Sequence, residues 1–292
     1  MGEQLDRSSA RAVLDTTAVI DHFKTPARKR RIADELSRYG LKFSTSIGVL
    51  EFKATLLQQM MTIHGEFVKF KRFTSVRDDL IESRHPQAKL RAHIFNNILQ
   101  VFPTGPVDEL TIVADRRLAE KASLKLEIDI PELFREFRDE FVDAVLHDTV
   151  ACDRAREAPN KSPSRKGFDV NIPTCHRGIN KSCRVERVLV EKVLPVLEKI
   201  IPLEVRQSTD DQIPVEFAQL VTALRLAQEV AANPNADLNA NQCRKCGDAL
   251  ITLEAAGRAT HGVSTNRREW EPLCEANGLL FHHLQYPNEA AG

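Results

Sequence analysis

Short apolar runs alternate with amphipathic stretches near both ends of this 292-residue chain. Residues 12–14, Ala-Val-Leu, lead directly into Asp15, which is the pattern of a buried parallel strand that ends in a polar side chain. A helix and a second strand, at residues 41–44, follow. Thr45 and its serine neighbours can cap the next helix, whose first turns contain Glu51. The first part of the chain therefore predicts a strand-helix-strand-helix unit.

The middle of the chain has a different pattern, with long amphipathic stretches and few strand signals. These stretches lie at residues 76–100, 107–125, 131–157 and 184–199, and a polar loop precedes the last of them. Beyond residue 200 the alternation returns. The predicted order is a strand at 200–205, helices at 215–232 and from Gly247, a strand at 261–265, a helix at 269–276 and a strand at 279–282.

This alternation predicts an α/β fold, a three-layer α/β/α core around a mainly parallel sheet, with a mostly helical insertion. The boundaries follow the change in pattern: core residues 10–66, an insertion at 67–197, and core residues 198–285. The insertion is the part of the chain expected to influence substrate choice.

Composition narrows the possible classes of protein. The 42% hydrophobic content is enough for a substantial core, and 41 basic residues balance 41 acidic ones, so a strongly basic nucleic-acid binder is excluded. No apolar run of about 18 residues is present, and the first residues lack a signal-peptide pattern, so we expect a cytoplasmic protein with no membrane partner. Six cysteines are too few for a disulfide scaffold.

Three acidic residues occupy equivalent positions in the predicted elements: Asp15 ends the first strand, and Glu51 and Asp248 each lie near the start of a helix. The carboxyl ends of parallel strands meet at one edge of a sheet, where α/β proteins bind ligands. Clustered carboxylates there would suit Mg²⁺ or Mn²⁺, which prefer oxygen ligands. Acidic residues at helix starts are also favoured by the helix dipole whatever the function.

Four segments carry a resemblance to a known family. They are VLDTTAVID at 13–21, IGVLEFKATLL at 47–57, GDALITLEAA at 247–256 and HGVSTNRREWEPLCEANGL at 261–279. Together they resemble the motifs of PIN-domain ribonucleases, and the resemblance covers about half of the chain. It implies a PIN-like core that carries a larger insertion than the family usually has.

The resemblance also implies a function and a set of site residues. Asp15, Glu51 and Asp248 match the acids that bind Mg²⁺ or Mn²⁺, and Asn266 matches the fourth catalytic position, where the family has Asp or Asn. The pair formed by Glu269 and its tryptophan neighbour matches the residues that hold the last helix to the core. The implied activity is hydrolysis of RNA phosphodiester bonds by an endonuclease.

The same resemblance suggests a toxin or a phage-defence effector, with an antitoxin or defence-system partner protein and a possible homo-oligomer. RNA processing is a third possible role. Two other functions stay open. A catalytically degenerate core can serve as a scaffold that binds a partner protein or nucleic acid, and the same fold can cut DNA.

The cysteines suggest a second metal site. Cys175, Cys183, Cys243 and Cys246 can form a structural four-cysteine zinc site, with His176 as a possible substitute ligand. The alternative is that they are free or core thiols. Two further cysteines, Cys152 and Cys274, lie in apolar surroundings and are expected in the core.

Basic residues cluster near this proposed zinc loop. Residues 161–187 contain seven Lys and Arg against two acids, and we expect this segment either to contact an RNA backbone or to be a solvated surface. The residues proposed for RNA contact are Lys161, Arg165, Lys166, Arg177 and Lys181.

Two weaker patterns are expected to lie on surface helices. The basic run at residues 28–31 is common on such helices. Asp143, His147 and Asp148 have the spacing of a second metal or acid-base site, and are more often an exposed helix face.

Overall fold

The computed structural model describes residues 10–24, 26–82, 88–101, 111–148, 157–164, 167–173, 184–233 and 238–285. Its strands are β1 (Arg11–Leu14), β2 (Leu41–Thr45), β3 (Ala144–Leu146), β4 (Asn160–Ser164), β5 (Gly167–Asn171), β6 (His261–Ser264) and β7 (Leu280–His283). Five of them form one sheet in the order β3-β2-β1-β6-β7, and every pair in it is parallel. β4 and β5 form a separate antiparallel pair.

The helices account for most of the described chain. They are α1 (Thr16–Lys24), α2 (Pro26–Leu36), α3 (Ser46–Phe52), α4 (Gln58–Phe70), α5 (Phe73–Glu82), α6 (Ala88–Val101), α7 (Ile112–Arg135), α8 (Val185–Val188), α9 (Leu194–Ile200), α10 (Leu203–Gln207), α11 (Ala218–Ala232), α12 (Ala240–Lys245), α13 (Gly247–Ala255) and α14 (Arg267–Ala276). A π-helical turn, Lys53–Leu57, joins α3 to α4. Within the described residues no helix is long and apolar enough to cross a membrane.

Helices cover both faces of the sheet, and β1 lies at its centre. Ala12 and Leu14 pack into a core formed with α1 to α7, whereas Val13 packs into a second core formed with the helices from α8 to α14. Successive side chains of a strand point to opposite faces, so a central strand buried on both sides is apolar throughout. The α/β fold with a parallel sheet is confirmed.

The strand predicted at residues 200–205 is wrong. Residues from Leu194 to Ile200 form α9, and α10 begins directly after Pro202, whose fixed backbone angle and missing N–H suit the start of a helix. Val205 is buried and Leu203 is 56% exposed. A short apolar run of this length fits a strand and a short helix equally well, so periodicity could not separate them.

Within the described residues 131–148, the helix predicted at residues 131–157 is wrong beyond residue 141. α7 continues through Pro131, a π-helical turn follows at Glu136–Phe141, and the chain then enters β3, which pairs with β2 at the edge of the sheet. The described part of the range 67–197 therefore contributes β3 to the central sheet. A strand of three residues is too short to show alternation that can be distinguished from an amphipathic helix.

The acids and the histidine near β3 consequently do not share a helix face. Asp143 precedes the strand and accepts a hydrogen bond from the backbone N–H of Lys42 at 2.6 Å. Asp148 follows the strand and forms an ion pair with Arg258. These contacts attach an edge strand to its surroundings, and they do not form a second metal or acid-base site.

Candidate functional site

The three acids singled out in the sequence line one cavity. Asp15 follows β1 at its carboxyl end, Glu51 lies in α3, and Asp248 lies in the first turn of α13. The cavity is open to solvent and has a volume of about 590 Å³. The structure therefore brings together side chains that are up to 233 positions apart in the chain (248 minus 15).

Three donors hold the Asp15 carboxylate, which is only 2% exposed. The backbone N–H of Thr17 donates to Oδ1 at 3.1 Å, and the hydroxyls of Thr17 and Ser264 both donate to Oδ2. Burial raises the pKa of Asp15, and these hydrogen bonds oppose the increase. The carboxylate is therefore fixed in position at the end of β1.

The Glu51 carboxylate is held between two elements. Thr45 caps α3 by accepting a hydrogen bond from the N–H of Gly48, which sets the start of the helix that carries Glu51. The hydroxyl of Thr16 donates to Oε2 of Glu51 at 2.7 Å. Burial raises the pKa of Glu51 to about 7, and the charge of Asp15 adds to the increase.

Gly247 permits this position of Glu51. A methyl group at Gly247 would lie 1.9 Å from Oε1 of Glu51, which is far inside contact distance. The glycine that opens α13 therefore leaves space for the carboxylate beside the helix backbone.

A fourth carboxylate, Glu269, lines the same cavity and is 7% exposed. Burial raises the pKa of Asp248 well above its ordinary value, and the charges of Asp15, Glu51 and Glu269 together with a hydrogen bond to Glu269 raise it further. Carboxylates this close repel one another when all are ionised. The cavity therefore favours either bound protons or a bound cation.

Asn266 also lines the cavity, and it contacts the acids through Glu269. Its side-chain N–H donates to Oε2 of Glu269 at 2.7 Å, and its backbone N–H donates to the hydroxyl of Ser264 at 2.8 Å. Glu269 is thus a cavity residue as well as a neighbour of Trp270, which is fully buried in the core. The spacing of three between Asn266 and Glu269 at a helix start was the signal that could have placed Glu269 in the site.

Part of the cavity lining comes from α11 and α12 and was missed in the sequence. It includes Arg244 and Lys245, which are exposed, together with the exposed amides of Gln219 and Asn241. Arg244 lowers the pKa of Glu51, so its charge reaches the carboxylates. The two cations lie between Cys243 and Cys246, and a pattern of two cysteines directs attention to zinc rather than to the residues between them.

The zinc site and the basic segment stay predictions. Cys243 and Cys246 are buried, and burial raises the pKa of Cys246 to about 12. Cys274 is fully buried in the core, as expected. Lys161 belongs to β4. The remaining residues of these two predictions, and Cys152, lie outside the described residues: Cys175, His176, Cys183, Arg165, Lys166, Arg177 and Lys181.

The cavity's donor set suits a hard divalent cation. Among the residues described here, no three His, Cys, Asp or Glu side chains already converge at the distances of a metal site. The oxygens of Asp15, Glu51 and Asp248 are nevertheless the ligands that Mg²⁺ and Mn²⁺ prefer. Their mutual repulsion is the electrostatic condition that a divalent cation relieves, so the residues fit such an ion.

Comparison with known proteins identifies no relative. The chain matches no protein-family model, no curated protein and no solved structure.

Proposed function

We propose that this protein is a metal-dependent ribonuclease that hydrolyses RNA phosphodiester bonds in the acidic cavity. One observation carries the proposal: four carboxylates from four different elements meet at the carboxyl edge of a parallel sheet, in one open cavity. Asp15, Glu51 and Asp248 would hold Mg²⁺ or Mn²⁺. When bound, the ion would activate a water molecule and neutralise charge on the phosphate.

The chain's own hydrogen bonds support this use of the acids. Thr16 orients Glu51, and Thr17 and Ser264 orient Asp15, so neither carboxylate has to be ordered when a ligand arrives. Ligands that are already in position improve both cation binding and catalysis. Asn266 and Glu269 give the same support next to Asp248.

The resemblance to PIN-domain motifs supports a biological role for this activity. A toxin or phage-defence effector cuts cellular RNA and is restrained by a partner protein, and we propose that class of role here. The motifs around Asp15, Glu51 and Asp248 are the part of the chain that carries this argument.

The test is cleavage by the purified full-length protein. Single-stranded RNA, a structured RNA and DNA would each be incubated with Mn²⁺, with Mg²⁺ and with EDTA. We expect RNA to be cut only with a divalent ion, and the Asp248→Asn variant to be slower by at least about 100-fold, because removal of one metal ligand costs several kcal/mol of transition-state stabilisation. Lys199→Ala, an exposed change outside the cavity, should cut normally.

Two results would contradict the proposal. Equal cutting by wild type and Asp248→Asn would assign the activity to a contaminant or another site. Cutting of DNA alone would indicate that the protein is a DNA nuclease and not a ribonuclease. No cutting of any substrate would favour a scaffold that binds a partner.

Gly247→Ala should disturb the site without disturbing the fold. The added methyl group must displace the Glu51 carboxylate, which is the flexible end of a side chain, so we expect a change of less than about 1 kcal/mol in the free energy of unfolding. Metal-dependent cleavage should fall by about 10-fold or more because one ligand has moved. Assays of cleavage and of thermal unfolding with and without Mn²⁺ measure both effects.

The matched control is Gly65→Ala, on α4, where an added methyl group meets nothing within 4 Å. Alanine is the better helix former, so this variant should be slightly more stable and fully active. If Gly247→Ala keeps wild-type cleavage and a wild-type response to Mn²⁺, the position of Glu51 is not important for metal binding.

A further inference from the structure

Two cations line the same cavity as the acids. Arg244 and Lys245 form the last turn of α12, line the cavity and are exposed. In the described part of the chain neither forms an ion pair, and Arg244 makes a single weak hydrogen bond of 3.3 Å, to the side chain of Asn241. Two positive side chains are therefore available to a ligand beside the carboxylates.

The position of these cations is set by the ends and the buried face of α12. The side chain of Asn239 accepts hydrogen bonds from the backbone N–H groups of Asn241 and Gln242, and Gln242 reciprocates at the N–H of Asn239. Cys243 and Cys246 are buried on the other side of the turn. Such a capping box stabilises a short helix that would otherwise be marginal.

The same chain segment carries both the cations and Asp248. Lys245 precedes Asp248 by three residues, and α12 leads directly into α13. The spacing between the cations and the acids is therefore determined by local backbone geometry. A ligand in the cavity would therefore meet both negative and positive side chains.

We propose that Arg244 and Lys245 bind the backbone phosphates of a single-stranded RNA segment and hold it beside the carboxylates of the cavity. This inference rests on the proposed nuclease function and names its substrate class. Acidic side chains repel a phosphodiester, so a nucleic acid needs cations in the same cavity to bind there. Arginine suits this contact because its guanidinium can donate two parallel hydrogen bonds to a phosphate.

The shape of the cavity favours a single strand. Its volume of about 590 Å³ lies in the range of sites for small organic ligands. Asp15 and Glu269, which are nearly buried, lie inside it, so a phosphate must enter the recess to reach them. A single strand can turn one phosphodiester inwards, whereas the backbone of a duplex is held on a rigid cylinder.

The test measures binding without metal, so it does not depend on cleavage. Fluorescence anisotropy would follow a labelled single-stranded RNA of about 12 nucleotides in EDTA, with full-length Asp248→Asn protein as the parent. We expect Arg244→Ala in this parent to bind about 10-fold more weakly and Lys245→Ala about 3-fold. The slope of log affinity against log salt should decrease by about 0.7 for each phosphate that is no longer bound.

The matched controls are Arg117→Ala on α7 and Lys199→Ala on α9, both exposed and outside the cavity. Each should keep the parent affinity. A duplex of the same sequence should bind at least about 10-fold more weakly than the single strand if the recess selects unpaired RNA.

The outcomes separate this inference from the proposed function. If wild type cuts RNA but Arg244→Ala and Lys245→Ala bind RNA like the controls, the assignment of these two residues to phosphate binding is wrong and the nuclease function is unaffected. If the two variants lose RNA binding while wild type cuts no RNA, the assignment of Arg244 and Lys245 to phosphate binding is supported and the proposed nuclease function is contradicted. Undetectable binding by the parent, or equal binding of the duplex, would overturn the inference.

Discussion

Asp248→Asn is expected to make the metal-free protein more stable while removing its response to metal. Asp248 is flanked by the charges of Asp15, Glu51 and Glu269, and burial and these charges raise its pKa well above the ordinary value. An amide of the same shape removes one of the repelling charges, so the free energy of unfolding should increase by about 1–2 kcal/mol. That corresponds to roughly 2–8 °C in the midpoint of thermal unfolding.

Bound metal should reverse this difference, so that wild type becomes more stable than Asp248→Asn. A cation that binds only the folded state at about 100 times its dissociation constant stabilises wild type by about 2.7 kcal/mol, and the variant should lose most of that gain. Thermal unfolding in EDTA and across a Mn²⁺ titration measures both effects. Asp34→Asn, an exposed change on α2, should behave as wild type. A variant that is destabilised in EDTA yet keeps the full Mn²⁺ response would mean that Asp248 is a structural residue.

The stability of the metal-free protein should decrease as the pH rises from about 4.5 towards 7, and Glu51 should account for much of the decrease. Its pKa is about 7 in the folded protein and near 4.5 when exposed. Because the folded pKa is the higher one, the unfolded state loses its proton first, and folding becomes less favourable until the folded group also ionises. The total contribution is about 3 kcal/mol, with no further loss above pH 7.

Glu51→Gln should remove this contribution. Its free energy of unfolding should match wild type near pH 4 and exceed it by about 3 kcal/mol near pH 8, as measured by urea unfolding in EDTA. Asp15 and Asp248 also have raised pKa values, so wild type keeps the same sign of pH dependence after Glu51 is replaced, with a smaller slope. The exposed change Glu198→Gln serves as the control. Parallel curves for wild type and Glu51→Gln would show that the carboxyl of Glu51 titrates normally.

The sequence by itself determined the elements that depend on local signals. β1 is an apolar run that leads into Asp15, Thr45 caps α3 through its own side chain, and Asp248 lies in the first turn of α13 as predicted. These features depend on the conformational preferences of a few adjacent residues and on the period of the apolar positions. The expectation that Asp15, Glu51 and Asp248 meet at one edge followed from the rule for parallel sheets, and the structure places them in one cavity.

The tertiary structure alone decided the features whose local signal is short or ambiguous. Residues 144–146 form β3 because they pair with the edge of β2, whereas residues 203–207 form α10 and do not join the sheet. Glu269 and Arg244 belong to the cavity because α14 and α12 pack beside acids that are distant in the chain. Which side chains share a cavity depends on the packing of elements against one another, and periodicity within one element contains no information about that packing.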